Sequence, residues 1–273
     1  MKYVAFLDML GFKKRLETLE QKDAMQFIRD FSVTIYKLWN ETPVFNEYLS
    51  GYLVSDSLII NTKDAERESL AVMLEAVEKI CLNIFTENST LLRGAIAKGE
   101  FDRLEAREIK SLGKDLMVGQ AYVDAYLLEG SVKIPGIVLA NNVYNDIMET
   151  NQNDNSIIAD KYSIVEEVAH NKKFHVFLYL KAEYFMLDNN LAKFVDLASK
   201  SGWLPHYYNA LYFFLKNESS HSVFGIFESI IKMISQNTGQ WREIDVFIKN
   251  TFDPNVVIDY QRRFLRFLRK KLC

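Results

Sequence analysis

Residues 3–7, Tyr-Val-Ala-Phe-Leu, are apolar at every position, the pattern of a strand buried on both faces, and the run ends on a carboxylate, Asp8. Gly11 follows, where a sharp turn or a close backbone approach is open to the chain. Ala24, Phe27, Ile28, Phe31, Ile35 and Leu38 fall on one stripe at helical spacing and predict a helix over 23–40, ended by Pro43. Residues 45–62 read as two strands, 45–54 and 57–61, joined at Ser55-Asp56, both good turn residues. Leu70, Met73, Leu74, Val77, Ile80, Cys81 and Ile84 predict a second long helix over 66–87, and a strand over 91–97 carries Arg93. Residues 99–114 are charged and read as irregular or short-helical. A helix over 119–129, a strand over 136–140, a helix capped by Asn141 and running to about 148, a polar loop over 151–155 and a strand over 174–180 complete this half. From about 182 the pattern is helical with no clear strand: 191–201, 206–216, 223–235, 241–250 and 256–272, punctuated by Pro205 and Pro254.

The order β-α-β-β-α-β followed by further elements predicts an α+β fold with a ferredoxin-like core and extensions, over 1–181, and a helical C-terminal region over 182–273. The length, 273 residues, suffices for one large or two modest domains. A net charge of −3 argues against a nucleic-acid binder that works through bulk charge. The two cysteines, Cys81 and Cys273, form no disulfide framework and no zinc spacing, and His170, His175, His206 and His221 show no ligand spacing. The N-terminus reads as strand rather than signal peptide, and no apolar run is long enough to span a bilayer, so a cytoplasmic location is expected.

Two acids projected from neighbouring strand ends, Asp8 and Asp56, form a natural cradle for divalent metals carrying a phosphate substrate. Taken singly, Asp8 also reads as a helix N-cap, Asp56 as a turn residue and Arg93 as the structural partner of an aspartate. Together they point to a metal–phosphate site, because buried acids require a compensating cation.

Four segments carry a family resemblance. Phe6-Leu7-Asp8-Met9-Leu10-Gly11-Phe12 resembles the first metal-binding motif of class III nucleotide cyclases, Phe-x-Asp-Ile-x-Gly-Phe. Leu53-Val54-Ser55-Asp56 is similar to their second metal aspartate, at a hairpin tip. Arg93-Gly94-Ala95-Ile96-Ala97-Lys98-Gly99 resembles the strand whose arginine contacts phosphate. The segment from Gly119 through Ala121, Ala125 and Leu128 to Glu129 resembles the later Gly-x-x-Val-Asn-x-Ala-x-Arg helix, and residues 135–144 resemble the strand and helix after it. The matches cover about residues 1–180 in the family order. One departure stands out: the helix positions of the asparagine and arginine that orient the ribose and stabilise the transferring phosphate hold Val123 and Leu127. The Phe-Leu-Asp-x-Leu-Gly-Phe opening and the Gly-x-Ala-x-x-x-Ala-Tyr-x-Leu-Glu helix are closer to divergent bacterial cyclases such as the Pycsar-type pyrimidine cyclases of antiphage defence.

The resemblance implies a metal-dependent cyclase converting a nucleoside triphosphate, UTP or CTP, to cUMP or cCMP and pyrophosphate. It implies two Mg²⁺ or Mn²⁺ per site on Asp8, Met9 and Asp56, with Asp8, Asp56 and Arg93 as catalytic residues. Leu10, Gly11, Phe12 and Arg93 would bind phosphate, and Lys172 and Lys173 resemble a family phosphate lysine. Tyr48, Ser50, Tyr52 and Asp115 would line the base pocket, and Tyr122, Asp124 and Tyr126 are the polar replacements on the helix. It also implies a homodimer with composite active sites. The departure at Val123 and Leu127 keeps a second reading open, a catalytically inactive nucleotide-binding or scaffold protein. The basic run 262–271 reads as a solvated helix face or as contact with a membrane surface or an acidic partner.

Overall fold

The computed structural model describes residues 1–109, 112–154 and 161–181 and positions 184 and 190, with the side chains at 14, 18, 105–109, 112–115 and 150–154 excepted. The helical patterns expected after 190, and the basic run 262–271, lie outside the described residues. The chain divides into two compact units.

The first unit comprises Met1–Met9, Gln21–Val132 and Gly136–Tyr179. Its strands are β1 (Lys2–Met9), β2 (Leu49–Val54), β3 (Ser57–Thr62), β4 (Leu92–Gly99), β5 (Asp102–Ile109), β6 (Leu112–Val118), β7 (Ile137–Leu139), β8 (Ser163–Ala169) and β9 (Lys172–Leu178). The sheet order is β2-β3-β1-β4-β7-β9-β8. Neighbours among β2, β3, β1 and β4 are all antiparallel, so the split βαβ arrangement of a ferredoxin-like core is present as predicted. Only the β4–β7 pairing is parallel among the described ladders of this sheet.

The central position of β1 explains its composition: Tyr3, Val4, Ala5, Phe6 and Leu7 are buried between two covered faces. By the two-residue period of a strand, Val4, Phe6 and Asp8 share one face and Tyr3, Ala5 and Leu7 the other. On the first face α5 (Gln120–Glu129) packs Ala121 and Ala125 against Val4, Phe6, Ile59 and Ala97. On the other lies α4 (Arg67–Asn88), with α2 (Gln21–Glu41) packed on it. Gly94 permits the β1–β4 approach, since a Cβ there would stand 2.3 Å from the Phe6 carbonyl oxygen.

Four details depart from expectation. Pro43 does follow the end of α2, but it also opens a helix, α3 (Pro43–Tyr48), because a proline suits the first helical turn. The strand therefore begins at Leu49, not Phe45. The charged stretch after Gly99 is a two-stranded ribbon, β5–β6, in which Leu104 pairs with Leu116. The helix α6 (Asn141–Asp154) absorbs most of the expected polar loop. Finally, β8 forms the sheet edge through a two-residue hairpin turn, with His170 and Asn171 at φ 51 and 60, as a primed turn requires.

The second unit comprises Leu10–Glu20, Lys133–Pro135 and Leu180–Cys273. In it α1 (Phe12–Thr18) follows Gly11, whose φ of 80 is left-handed, and the Arg15 N–H donates to the Gly11 carbonyl at 3.0 Å.

Candidate active site

Asp8 sits at the C-terminal end of β1, where its register partners are Ser57 on β3 and Arg93 on β4. The Ser57 hydroxyl donates to Asp8 Oδ1 at 3.2 Å, and Arg93 Nη2 stands 3.5 Å from Asp8 Oδ2. Burial pushes the Asp8 carboxyl above its ordinary range, Arg93 opposes that, and the nearby charge of Asp56 adds to it. Asp56 lies in the two-residue turn between β2 and β3, after Ser55 at φ 57. Its carbonyl accepts the Met9 N–H at 3.2 Å, which ties the hairpin tip to the end of β1. Asp8 and Asp56 thus stand at the same end of the sheet.

Arg93 is engaged on two sides. Besides facing Asp8, its Nε is ion-paired with Glu129 Oε1 at the last residue of α5. The reading of Arg93 as partner to an aspartate is therefore realised, together with a carboxylate the sequence reading did not single out. Burial raises the Glu129 carboxyl to about 7, with Arg93 pulling it down and Asp8 adding to the rise. One signal was available in the sequence: an acid in the last turn of a helix opposes the helix dipole and calls for a cation.

A divalent cation fits this donor set. Asp8 and Glu129 both face the Arg93 guanidinium, the charge of Asp56 acts on Asp8, and burial raises the Asp8 and Glu129 carboxyl groups. No group of three or more His, Cys, Asp or Glu side chains is arranged for a metal among the described residues. Two carboxylates completed by substrate phosphate oxygens are what Mg²⁺ commonly takes. Met9 has a buried side chain, so its backbone carbonyl is the group it can offer.

The remaining predicted residues separate. Tyr52 shares the α5 face, packs beside the Phe6 cluster, and carries the Arg103 guanidinium 4.3 Å over its ring. Arg103 is a second residue the sequence reading did not single out. Ser50 is exposed and two residues farther from the hairpin tip, and Tyr48 belongs to α3, with Lys63 Nζ 3.7 Å over its ring. Of Asp115 only the backbone is described, on β6 opposite Glu105. Tyr122 and Tyr126 lie edge-on to Phe6, at 6.3 and 5.3 Å between ring centroids. Asp124 is half-buried and accepts from Gln120 at 2.7 Å. Val123 and Leu127 point outward, 44% and 68% exposed.

Lys172 and Lys173 begin β9, whose far end reaches Ile137 and, through it, the Arg93 end of β4. They therefore stand at the opposite end of the sheet from Asp8, and Lys173 pairs with Glu166 at 3.1 Å. Leu10, Gly11 and Phe12 follow Asp8 and Met9 in the chain and belong to the second unit. Among the described residues, no helix is long and apolar enough to cross a membrane.

No protein-family model matches the chain, and no curated protein matches it. Its fold is similar to that of the adenylyl cyclase CyaB from P. aeruginosa, at 11% identity and a TM-score of 0.48, over 65% of this chain and 93% of that one. It is similar to the guanylate cyclase domain of RhGC from Catenaria anguillulae in complex with GTP, at 15% identity and a TM-score of 0.45, over 65% of this chain and 95% of that one. A bacterial light-regulated adenylyl cyclase is similar at 11% identity and a TM-score of 0.44, over 65% of this chain and 88% of that one.

Proposed function

We propose that this chain is a metal-dependent nucleotide cyclase that converts a pyrimidine nucleoside triphosphate, UTP or CTP, to its 3′,5′-cyclic monophosphate and pyrophosphate. The observation that carries this reading is the bond from the Met9 N–H to the Asp56 carbonyl, which holds two carboxylates at one sheet end beside Arg93. The ribose 3′-oxygen bonds to the α-phosphorus, the bond from that phosphorus to the bridging oxygen breaks, pyrophosphate leaves, and the 3′-hydroxyl proton passes to solvent. Two Mg²⁺ or Mn²⁺ would supply the charge that lowers the proton affinity of the 3′-oxygen and holds the triphosphate. Asp8 and Asp56 would hold them, with the Met9 carbonyl as a further oxygen donor. Arg93 neutralises phosphate charge. Tyr52, with the Arg103 guanidinium over its ring, is the candidate wall of the base pocket.

The active unit in this reading is a homodimer in the cytoplasm with composite sites, serving as a second-messenger synthase in antiphage defence. Val123, Tyr126 and Leu127 on α5, with Leu104, Leu116 and Val118 on the ribbon, form exposed apolar surface suited to a second copy. Incubation with Mn²⁺ and ATP, GTP, CTP or UTP, followed by mass spectrometry, tests it. A cyclic pyrimidine monophosphate is expected, and no cyclic product from any of the four by a folded dimer sinks the reading.

A second reading is favoured by Val123 and Leu127, which bring apolar surface where the resembled family has its ribose- and phosphate-directed pair. On it the chain binds nucleotide without turnover and acts as a sensor or scaffold. Tight triphosphate binding with no product distinguishes it.

A further inference from the structure

A pocket of about 330 Å³ lies between α6 and the β8–β9 hairpin. Its α6 wall is Tyr144 and Met148, four residues apart and so on one helix face. Its sheet wall is Ile164 and Glu166 of β8 and His175 of β9, with Tyr162 just before β8. Val143 and Ile147, on the neighbouring face of α6, are fully buried, so the helix is packed along that side and open along the next. The strand register runs from Ala5 through Ile96, Leu139 and His175 to Glu166, which places the pocket on the α4 face, the other side of the sheet from Asp8. Protein interiors leave few voids larger than one water, so a gap of about ten times a water's share of volume is not packing slack.

Tyr144 and His175 stack face to face, with ring centroids 3.5 Å apart and planes 1° from parallel, and Tyr162 stands edge-on to Phe177. Burial holds the His175 imidazole below its ordinary range, so at neutral pH that ring is uncharged. Met148 adds a polarisable sulfur and Ile164 an aliphatic wall. Glu166 is the anionic group of the lining. Lys173 reaches its two oxygens at 3.1 and 3.2 Å, and a carboxylate has acceptor sites beyond those two. Aromatic walls with a single acceptor, in a volume at the small end of ligand sites, suit a molecule of one or two rings. We propose that this pocket is a second binding site, separate from Asp8 and Asp56, for a small planar aromatic molecule that carries an N–H donor. The ring packs against Tyr144, Tyr162 and Met148, and the N–H donates to Glu166. This inference does not rest on the metal–triphosphate reading above.

The probes are indole and N-methylindole, which differ in the N–H, titrated into the full chain and followed by saturation-transfer difference NMR. The wild type should bind indole with a Kd of about 0.1–1 mM, as suits so small a ligand. It should bind N-methylindole about ten-fold more weakly, for want of the bond to a charged acceptor. Glu166→Ala should bind the two probes alike. Met148→Trp, which fills the pocket from the α6 side, should weaken indole by about ten-fold or more. Asp8→Asn should match the wild type within about two-fold. Absence of indole binding by the wild type, equal affinity for the two probes, a preference that survives Glu166→Ala, or unchanged binding in Met148→Trp overturns the inference. A loss in Asp8→Asn puts the probe in the candidate active site and overturns it as well. If Met148→Trp does not fold, the Glu166→Ala comparison decides alone. Indole binding by a chain that takes up no Mn²⁺ upholds this inference while the metal reading fails.

Discussion

Two ion clusters lie on opposite faces of the same pair of strands, one residue apart in parity. On the α4 face, Tyr3 of β1 and Lys98 of β4 are register partners, and both donate to Asp146 Oδ2 of α6 at 2.7 Å. The carboxylate there receives a cation and a hydroxyl. Burial and the Asp146 charge hold the Tyr3 phenol well above its ordinary range, so it stays a donor. On the α5 face, Asp8 and Arg93 are likewise register partners, but there Glu129 also faces Arg93 and the charge of Asp56 acts on Asp8. The contacts there are uneven and two carboxyl groups are pushed up. A satisfied network is a structural one, whereas a buried surplus of carboxylate is a site prepared for a cation.

That contrast is most sharply tested by exchanging charge on each face. Asp8→Asn or Asp56→Asn should lower cyclic monophosphate formation by about 10²–10³-fold or more with circular dichroism unchanged. Asp146→Asn should leave turnover within about two-fold. Equal losses on both faces would erase the distinction. Leu127→Glu should convert a dimer to a monomer in analytical ultracentrifugation and remove turnover, with fold stability changed by no more than about 0.5 kcal/mol. A dimer that survives this change is not built on the outer face of α5.

Stability should reverse the order. Asp146→Asn should cost about 1–3 kcal/mol in urea unfolding, since it weakens the partner of a largely buried lysine. Asp8→Asn should cost less, since burial already disfavours that charge. The smallest effect concerns pH. Glu129 has a folded pKa of about 7, raised from 4.5, so the folded state binds its proton more tightly than the unfolded one. Its contribution to stability is full below about 4.5 and is lost as pH rises through about 7. Melting temperature against pH should therefore be flatter in this window for Glu129→Gln than for the wild type, and parallel curves would contradict the assigned burial.

The ferredoxin-like order, the buried β1 and the approach of Asp8, Asp56 and Arg93 were legible because each is a local pattern: an apolar run, a turn dipeptide, a strand after a helix. Glu129 was not, because its role depends on where the end of α5 falls over β4. The β5–β6 ribbon escaped because its charged residues carry no core periodicity. That Lys172 and Lys173 stand at the far end of the sheet from Asp8 was not legible, because strand direction is set by sheet topology, which returns β9 antiparallel to β7.

The most direct measurement is a Mn²⁺ titration of the wild type, Asp8→Asn and Asp146→Asn, followed by electron paramagnetic resonance. The account predicts binding by the wild type and Asp146→Asn and its loss in Asp8→Asn. Absence of binding by the wild type, or its retention in Asp8→Asn, would contradict it.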